Sequence, residues 1–242
     1  MIEQASEVPG SAKCELSSHH LAQMIDISAV QAFHTEADIR ELAAAALEGG
    51  FVAAHALPHF VPLLRSLIPA GGATRVGGPI GFPSGGHTTM IKLAEARALA
   101  RAGCDELDMM INIGRLKSGD LDYVRSEIKA VVDAIAPIPL KVILEVSHLM
   151  DDEIRRGSEC VAEAGAAFVK TGSGWTAKPT TLAHIRTISA VVHGRSRIKA
   201  SGGIRNLETV QAMLSLGVAR FGINTRVALD LLKACATSSG GC

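Results

Sequence analysis

An apolar run of strand length, then a polar or Gly-rich turn, then an Ala/Leu/Glu-rich helical stretch recurs along this chain. No other feature limits its fold as much. The apolar runs cover residues 24–28, 51–57, 74–82, 106–112, 140–146, 168–171, 197–201 and 220–224. Between them, helical periodicity covers 36–48, 88–102, 120–136, 151–164, 180–192 and 207–216. Several runs, LKVIL among them, are apolar without alternation, the pattern of parallel strands covered on both faces. Eight such strands alternating with helices in 242 residues predict an α/β protein, a single (β/α)8 TIM barrel. An open doubly wound sheet is the alternative, but no GxGxxG follows the early strands. The expected organisation is one domain over residues 19–235, a flexible lead over 1–18 and a flexible tail over 236–242. A chain of this length buries a large core without disulfides or a structural metal.

Composition narrows the function classes. Lys and Arg total 24 against 24 Asp and Glu, and the pI is near 7.1, so there is no basic face for nucleic acid. Aromatic residues make up only 3%, too few for a base-stacking platform. No run of 18 apolar residues occurs, which predicts no membrane partner, and the N-terminus lacks the basic and apolar regions of a secretory signal. The cysteines at 14, 104, 160, 235 and 242 are odd in number and widely spaced. They read as reduced thiols of a cytoplasmic protein, with no metal pattern and no cofactor motif.

The chemistry is signalled by charges in apolar strands. Of nine lysines, three interrupt such runs: Lys141 in LKVILEV, Lys170 in FVKTG and Lys199 in IKASGG, 29 residues apart each time. That interval is about one βα unit, so the spacing predicts one strand level presented three times around the barrel. Asp108, in ELDMMIN, lies one strand earlier. A charge in a strand interior is costly unless paired, and a barrel directs it inward, toward the mouth where active sites sit. One reading has these charges only pairing with each other. The functional reading is imine chemistry. A free lysine has a pKa of ~10.4, so about one in 2,500 is neutral at pH 7. Burial and a second ammonium release the neutral amine. Its iminium withdraws electrons without a metal, and Asp108 would carry protons.

Two Gly-rich turns, 171–174 and 201–205, follow candidate strands. They are either plain turns or a phosphate cradle of backbone N–H groups. His55 either lines the barrel or is a packed, hydrogen-bonded histidine. Glu145 and His148 either reach the mouth or, for Glu145, pair with a lysine. Nine histidines show no metal-ligand spacing.

Taken together, ELDMMINIGRLKSGD, LKVILEVSHL, AGAAFVKTGSGW, KASGGIRNLE and GFPSGGHTT resemble the deoxyribose-phosphate aldolases over residues 20–232. The resemblance implies an eight-stranded barrel that cleaves 2-deoxyribose 5-phosphate reversibly to acetaldehyde and glyceraldehyde 3-phosphate. It implies that Lys170 forms the Schiff base, Lys199 tunes the pKa of Lys170 and relays protons, and Asp108 is the proton donor and acceptor. Lys141 and Asp26 fall in supporting positions. Thr171, Gly174, Gly202, Gly203, Gly222, Asn224 and Thr225 fall on the phosphate- and substrate-binding end. No cofactor or metal is implied. The partners implied are small aldehydes and sugar phosphates, with further copies of the chain in a dimer or tetramer.

The departures from the family pattern cluster at the substrate end. Asp26-Ile27-Ser28 replaces Asp-His-Thr, and His55 and Leu57 stand where Cys and Asn are common. Trp175, the only tryptophan, follows the lysine motif, and Asn224-Thr225 replaces a serine pair, followed by Arg226, which is either a phosphate ligand or a solvated residue. These changes leave two alternatives open: an aldolase of the same mechanism with a different or unphosphorylated acceptor aldehyde, and a catalytically silent sugar-phosphate-binding barrel.

Overall fold

The computed structural model describes residues 16–239, and the rest of the expected lead and tail lies outside them. Eight parallel strands close into a barrel in sequence order: β1 (Ile25–Ala29), β2 (Ala53–Ala56), β3 (Arg75–Ile80), β4 (Glu106–Met110), β5 (Leu140–Ile143), β6 (Phe168–Lys170), β7 (Arg197–Ser201) and β8 (Val218–Asn224). The helices expected from periodicity are α2 (Glu36–Glu48), α4 (Thr89–Arg101), α6 (Leu121–Ile135), α7 (Asp151–Glu163), α8 (Leu182–Val192) and α9 (Leu207–Ser215). Four more occur: α1 (Ser18–Ala22), α3 (Val61–Leu67), α5 (Ile113–Lys117) and α10 (Thr225–Ser239). None is long and apolar enough to cross a membrane among the described residues.

Both expected domain boundaries shift outward. Ser17 caps α1 by accepting from His20 N, and Leu16 packs on the core while its carbonyl accepts from Cys235 Sγ at 2.7 Å. At the other end α10 runs to Ser239, so 236–239 continue a helix rather than begin a tail. Local chemistry fixes the helix starts. Thr35 and Asp38 form a reciprocal capping box at α2, and Asn206 accepts from Thr209 N at α9. Such a cap contributes about 1 kcal/mol.

The strands divide their side chains between two environments. Outward residues, such as Ile27, Val76, Leu107, Met109, Val142, Val169, Ile198, Phe221 and Ile223, join one apolar core with the helices. Each fully buried side chain of this kind contributes about 1.5–3 kcal/mol. The inward residues are different. His55 pairs with Gly77 and Gly77 with Glu106; Asp108 pairs with Lys141 and Lys141 with Phe168; Lys170 pairs with Lys199 and Lys199 with Arg220; Gly222 pairs with Asp26 and Asp26 with Ala53. The register thus climbs two residues for every two strands, and alternate strands fill successive layers, as in other barrels of this type. The lowest layer is Ala53, Glu106, Phe168 and Arg220. Asp26, Gly77, Lys141 and Lys199 form the next, and His55, Asp108, Lys170 and Gly222 the one above.

This layering corrects the expectation that the three lysines share one level. Lys141 and Lys199 sit in the middle layer, and Lys170 stands one layer higher with Asp108. Equal spacing in sequence does not mean equal height, because β5 and β7 feed one set of layers and β6 the other.

Candidate active site

A barrel interior lined by charge is costly unless the charges are paired, and here each has an opposite charge beside it. Asp108 takes Lys170 Nζ at 2.6 Å and Lys199 Nζ at 2.9 Å on Oδ2, and Lys141 Nζ at 2.9 Å on Oδ1. Asp26 holds Lys199 Nζ at 2.6 Å on Oδ2 and pairs with Arg220 through Oδ1. Glu106 pairs with Lys141 and, at 3.4 Å, with Arg220. The floor below is Phe168, with the guanidiniums of Arg197 and Arg220 at 4.1 and 5.7 Å from its ring centre.

Three buried carboxylates, Asp26, Glu106 and Asp108, thus face four buried cations, Lys141, Lys170, Lys199 and Arg220, which leaves one positive charge in excess. Burial, reinforced by Lys199 and Lys141 and opposed by Asp108, brings the Lys170 amine down to about 8. At that value about one in ten molecules carries the neutral amine at pH 7. Lys141 moves the other way. Burial disfavours its charge, but Asp108, Glu106 and Asp26 outweigh that and hold it protonated above the usual lysine range. Burial alone would raise Asp108 and Asp26, but the surrounding lysines hold both well below the usual carboxylate range. Two lysines one layer apart thus become one fixed cation and one available amine.

A cavity of about 870 Å³ opens above this cluster. Its inner wall includes Asp26, His55, Asp108, Lys170 and Lys199. Its outer wall includes Gly174, Gly202, Gly203, Gly222, Asn224 and Thr225, so every predicted substrate-end residue except Thr171 lines it. Lys178, Arg205 and Arg226 stand exposed on the same wall. Gly222 also has a second duty. A Cβ there would lie 2.8 Å from Ser201 Oγ and 3.2 Å from Lys199 Cε, so its bareness makes room for the Lys199 stem.

Thr171 lies beneath the cavity wall, and its bonds make it a brace. It is fully buried; its hydroxyl donates to Ser201 O at 3.0 Å and accepts from Ser201 N at 2.9 Å and Thr180 Oγ1 at 2.8 Å. Those bonds tie the top of β6 to the top of β7. Thr171→Val should cost about 2–3 kcal/mol of stability in urea unfolding, the sum of a few buried hydrogen bonds, while leaving the Lys170 amine reactive toward acetaldehyde. Unchanged stability would refute the brace. Asn224 is also partly occupied: its Oδ1 accepts from Val227 N at 2.9 Å and caps α10. Leu57 lies outside the cavity wall and precedes the 3-10 turn Pro58–Phe60. Trp175 likewise lies outside that wall.

Two members of the cluster are missing from the sequence-level candidates: Glu106 and Arg220. The signal for Glu106 is its place two residues before Asp108, which in a strand means the same face. His55, left open by the sequence, joins the cluster with Nε2 3.3 Å from Asp108 Oδ1. Burial pushes its imidazole below the usual histidine range. Among the described residues, Asp26, His55 and Glu106 are the one group whose ligand atoms approach closely enough, within 4.8 Å, to suggest a metal. The Lys141 ammonium already sits among them, bound to Glu106 and 3.4 Å from His55 Nε2.

A buried amine tuned toward neutrality, at the mouth of a parallel barrel, is the equipment of an aldolase that works through an imine. The chain belongs to the DeoC/LacD family of aldolases, whose model matches residues 21–224. It is an enzyme, a lyase of that family. It is 66% identical over 225 residues to a deoxyribose-phosphate aldolase of Sinorhizobium medicae, covering 93% of this chain and 91% of the relative. It is 46% identical over 210 residues to one from Klebsiella pneumoniae, covering 86% and 84%. Among solved structures, the aldolase QR15 has a TM-score of 0.82 at 35% identity, covering 88% of this chain and 96% of that one. The tetrameric deoxyribose phosphate aldolase of Aeropyrum pernix has a TM-score of 0.78 at 27% identity, covering 90% and 92%. The reading as a catalytically silent barrel is therefore set aside.

Proposed function

We propose that the chain cleaves 2-deoxy-D-ribose 5-phosphate reversibly to acetaldehyde and D-glyceraldehyde 3-phosphate, with Lys170 forming the Schiff base. The observation that carries this reading is the Lys170 amine, brought down to about 8 and held 2.6 Å from Asp108 below the cavity. The neutral amine adds to the C1 carbonyl of the open-chain sugar. Loss of water from the carbinolamine leaves an iminium. The C3 hydroxyl then gives up its proton, the C2–C3 bond breaks, and its electron pair enters the enamine as glyceraldehyde 3-phosphate departs. Protonation of the enamine at C2 and hydrolysis of the iminium release acetaldehyde and return the amine. Asp108, shared by Lys170 and Lys199 through one oxygen, is placed to pass these protons. Gly174, Gly202, Gly203, Gly222, Asn224 and Thr225 take the phosphate end, with Lys178, Arg205 and Arg226 at the rim.

The test is a retro-aldol assay on phosphorylated and unphosphorylated sugars, read as released acetaldehyde. Deoxyribose 5-phosphate should give the highest kcat/KM. A higher value for another sugar would move the reading to an aldolase with a different acceptor, which Asn224 favours because its carboxamide oxygen is already used in capping α10.

The pH dependence follows from Lys170. The amine reacts only when neutral, so kcat/KM should rise with pH and level off above about 8. Lys199 disfavours charge on Lys170 and shares its Asp108 oxygen. Lys199→Leu removes that repulsion and leaves Asp108 more fully to Lys170, so both effects raise the pKa. The rising limb should move to higher pH; an unmoved limb would reject the tuning role. The reading also includes a homo-oligomer, supported by the tetrameric Aeropyrum relative. It places the protein in the cytoplasm, where thiols such as Cys104 and Cys160 stay reduced.

A further inference from the structure

Trp175 and Glu145 are explained by neither the lysine cluster nor the phosphate wall, and the two are connected. Glu145 follows β5 in a left-handed conformation, φ 56° and ψ 63°, which few residues other than glycine adopt. The residue is 4% exposed and its carboxylate pairs with no lysine among the described residues. Instead it accepts from the backbone N–H of Ser173 at 3.1 Å and from the Ser173 hydroxyl. Gly172 is bare on that side: a Cβ there would lie 3.1 Å from Glu145 Oε1. Ser173 Oγ in turn accepts from Trp175 N at 3.0 Å. The indole N–H then donates to Val30 O at 3.0 Å, in the loop after β1, and the ring meets Phe82, in the loop after β3, edge-on at 5.5 Å. Gly174, which lines the cavity, lies between Ser173 and Trp175, and its carbonyl faces Gln31 Nε2 at 3.5 Å.

The backbone at Lys170 is held separately. Leu144 N donates to Lys170 O and Val146 N to Thr171 O, both at 2.9 Å, so the strand ladder flanks Glu145 without using its side chain. We infer that Glu145, Ser173 and Trp175 form a hydrogen-bonded latch that positions the Gly174 wall of the cavity for the phosphate end of the substrate. They are positioning residues, and Trp175 acts through its N–H rather than by touching the sugar. The left-handed turn at Glu145 is what brings the carboxylate beneath the loop after β6.

This inference rests on the proposed substrate, and the experiment keeps the two apart. Both Ser173 donors meet one oxygen, Glu145 Oε2, so Glu145→Gln keeps the shape and an acceptor there but removes the negative charge that strengthens both bonds. Ser173→Ala removes the bridge, and Trp175→Phe keeps an aromatic ring beside Phe82 but has no N–H. Each variant should raise KM for deoxyribose 5-phosphate, by about tenfold for Glu145→Gln, the scale of the lost charge assistance. kcat and the KM for unphosphorylated deoxyribose should change little. Because Trp175 is the only tryptophan, acrylamide quenching of its fluorescence reports the latch directly and should increase in Glu145→Gln and Ser173→Ala. Equal losses on both sugars, or unchanged quenching in both variants, would overturn the latch. If the parent protein shows no preference for the phosphorylated sugar, the substrate reading fails. The quenching result still decides whether the latch exists.

Discussion

Lys170→Ala is expected to reduce kcat for deoxyribose 5-phosphate cleavage by at least about 10⁴-fold, the scale on which removal of a covalent nucleophile acts. The reason is the charge balance inside the barrel. Three buried carboxylates face four buried cations, and burial reinforced by Lys199 and Lys141 brings the Lys170 amine down to about 8. Lys141 cannot stand in for it, because Asp108, Glu106 and Asp26 hold its proton above the usual lysine range. Removing Lys170 also removes a surplus charge from a buried network, so the variant should unfold at the same temperature as the parent or above it. A variant retaining more than about one hundredth of the parent kcat would show that another amine forms the imine.

Asp108→Asn is expected to lower kcat by about 10²–10⁴-fold, as for a general acid–base group. It has a second signature. The amide carries no charge to favour the Lys170 ammonium, so the pKa of Lys170 should fall and the rising limb of the pH profile should move to lower pH. A slower enzyme with a more acidic limb is the combination that identifies Asp108 as both proton carrier and electrostatic partner. A large rate loss with an unmoved limb would leave only the first role. A change in kcat of less than about threefold would remove it altogether.

The architecture was legible because the two periods are strong. All eight apolar runs became strands and all six helical stretches became helices, with most ends moving by a residue or two. The site was legible where it broke the strand pattern. Lys141, Lys170, Lys199 and Asp108 stand out as charges in apolar runs. Glu106 and Arg220 were missed because each stands near the start of its strand, where a charge usually means solvent. Here the lowest inward layer is closed by Phe168. The relative height of the lysines was misread because strand staggering is a property of the closed barrel, not of spacing along the chain. The resemblance puts Thr171 at the substrate end, but the partners that occupy its hydroxyl, Ser201 and Thr180, are distant in sequence and could not be read from it. Glu145 had two readings open, the mouth or a lysine. The structure gives a third, because the left-handed turn that aims it under the next loop leaves no trace in composition or period.

The central claim is that one amine, and not its two buried neighbours, forms the imine. It is tested by incubating the protein with acetaldehyde and borohydride and mapping the reduced adduct by peptide mass. The account predicts a single ethyl group, carried by Lys170, with none on Lys141 or Lys199 and none anywhere in Lys170→Ala. An adduct on Lys141 or Lys199 in the parent protein, or no adduct at all, would contradict it.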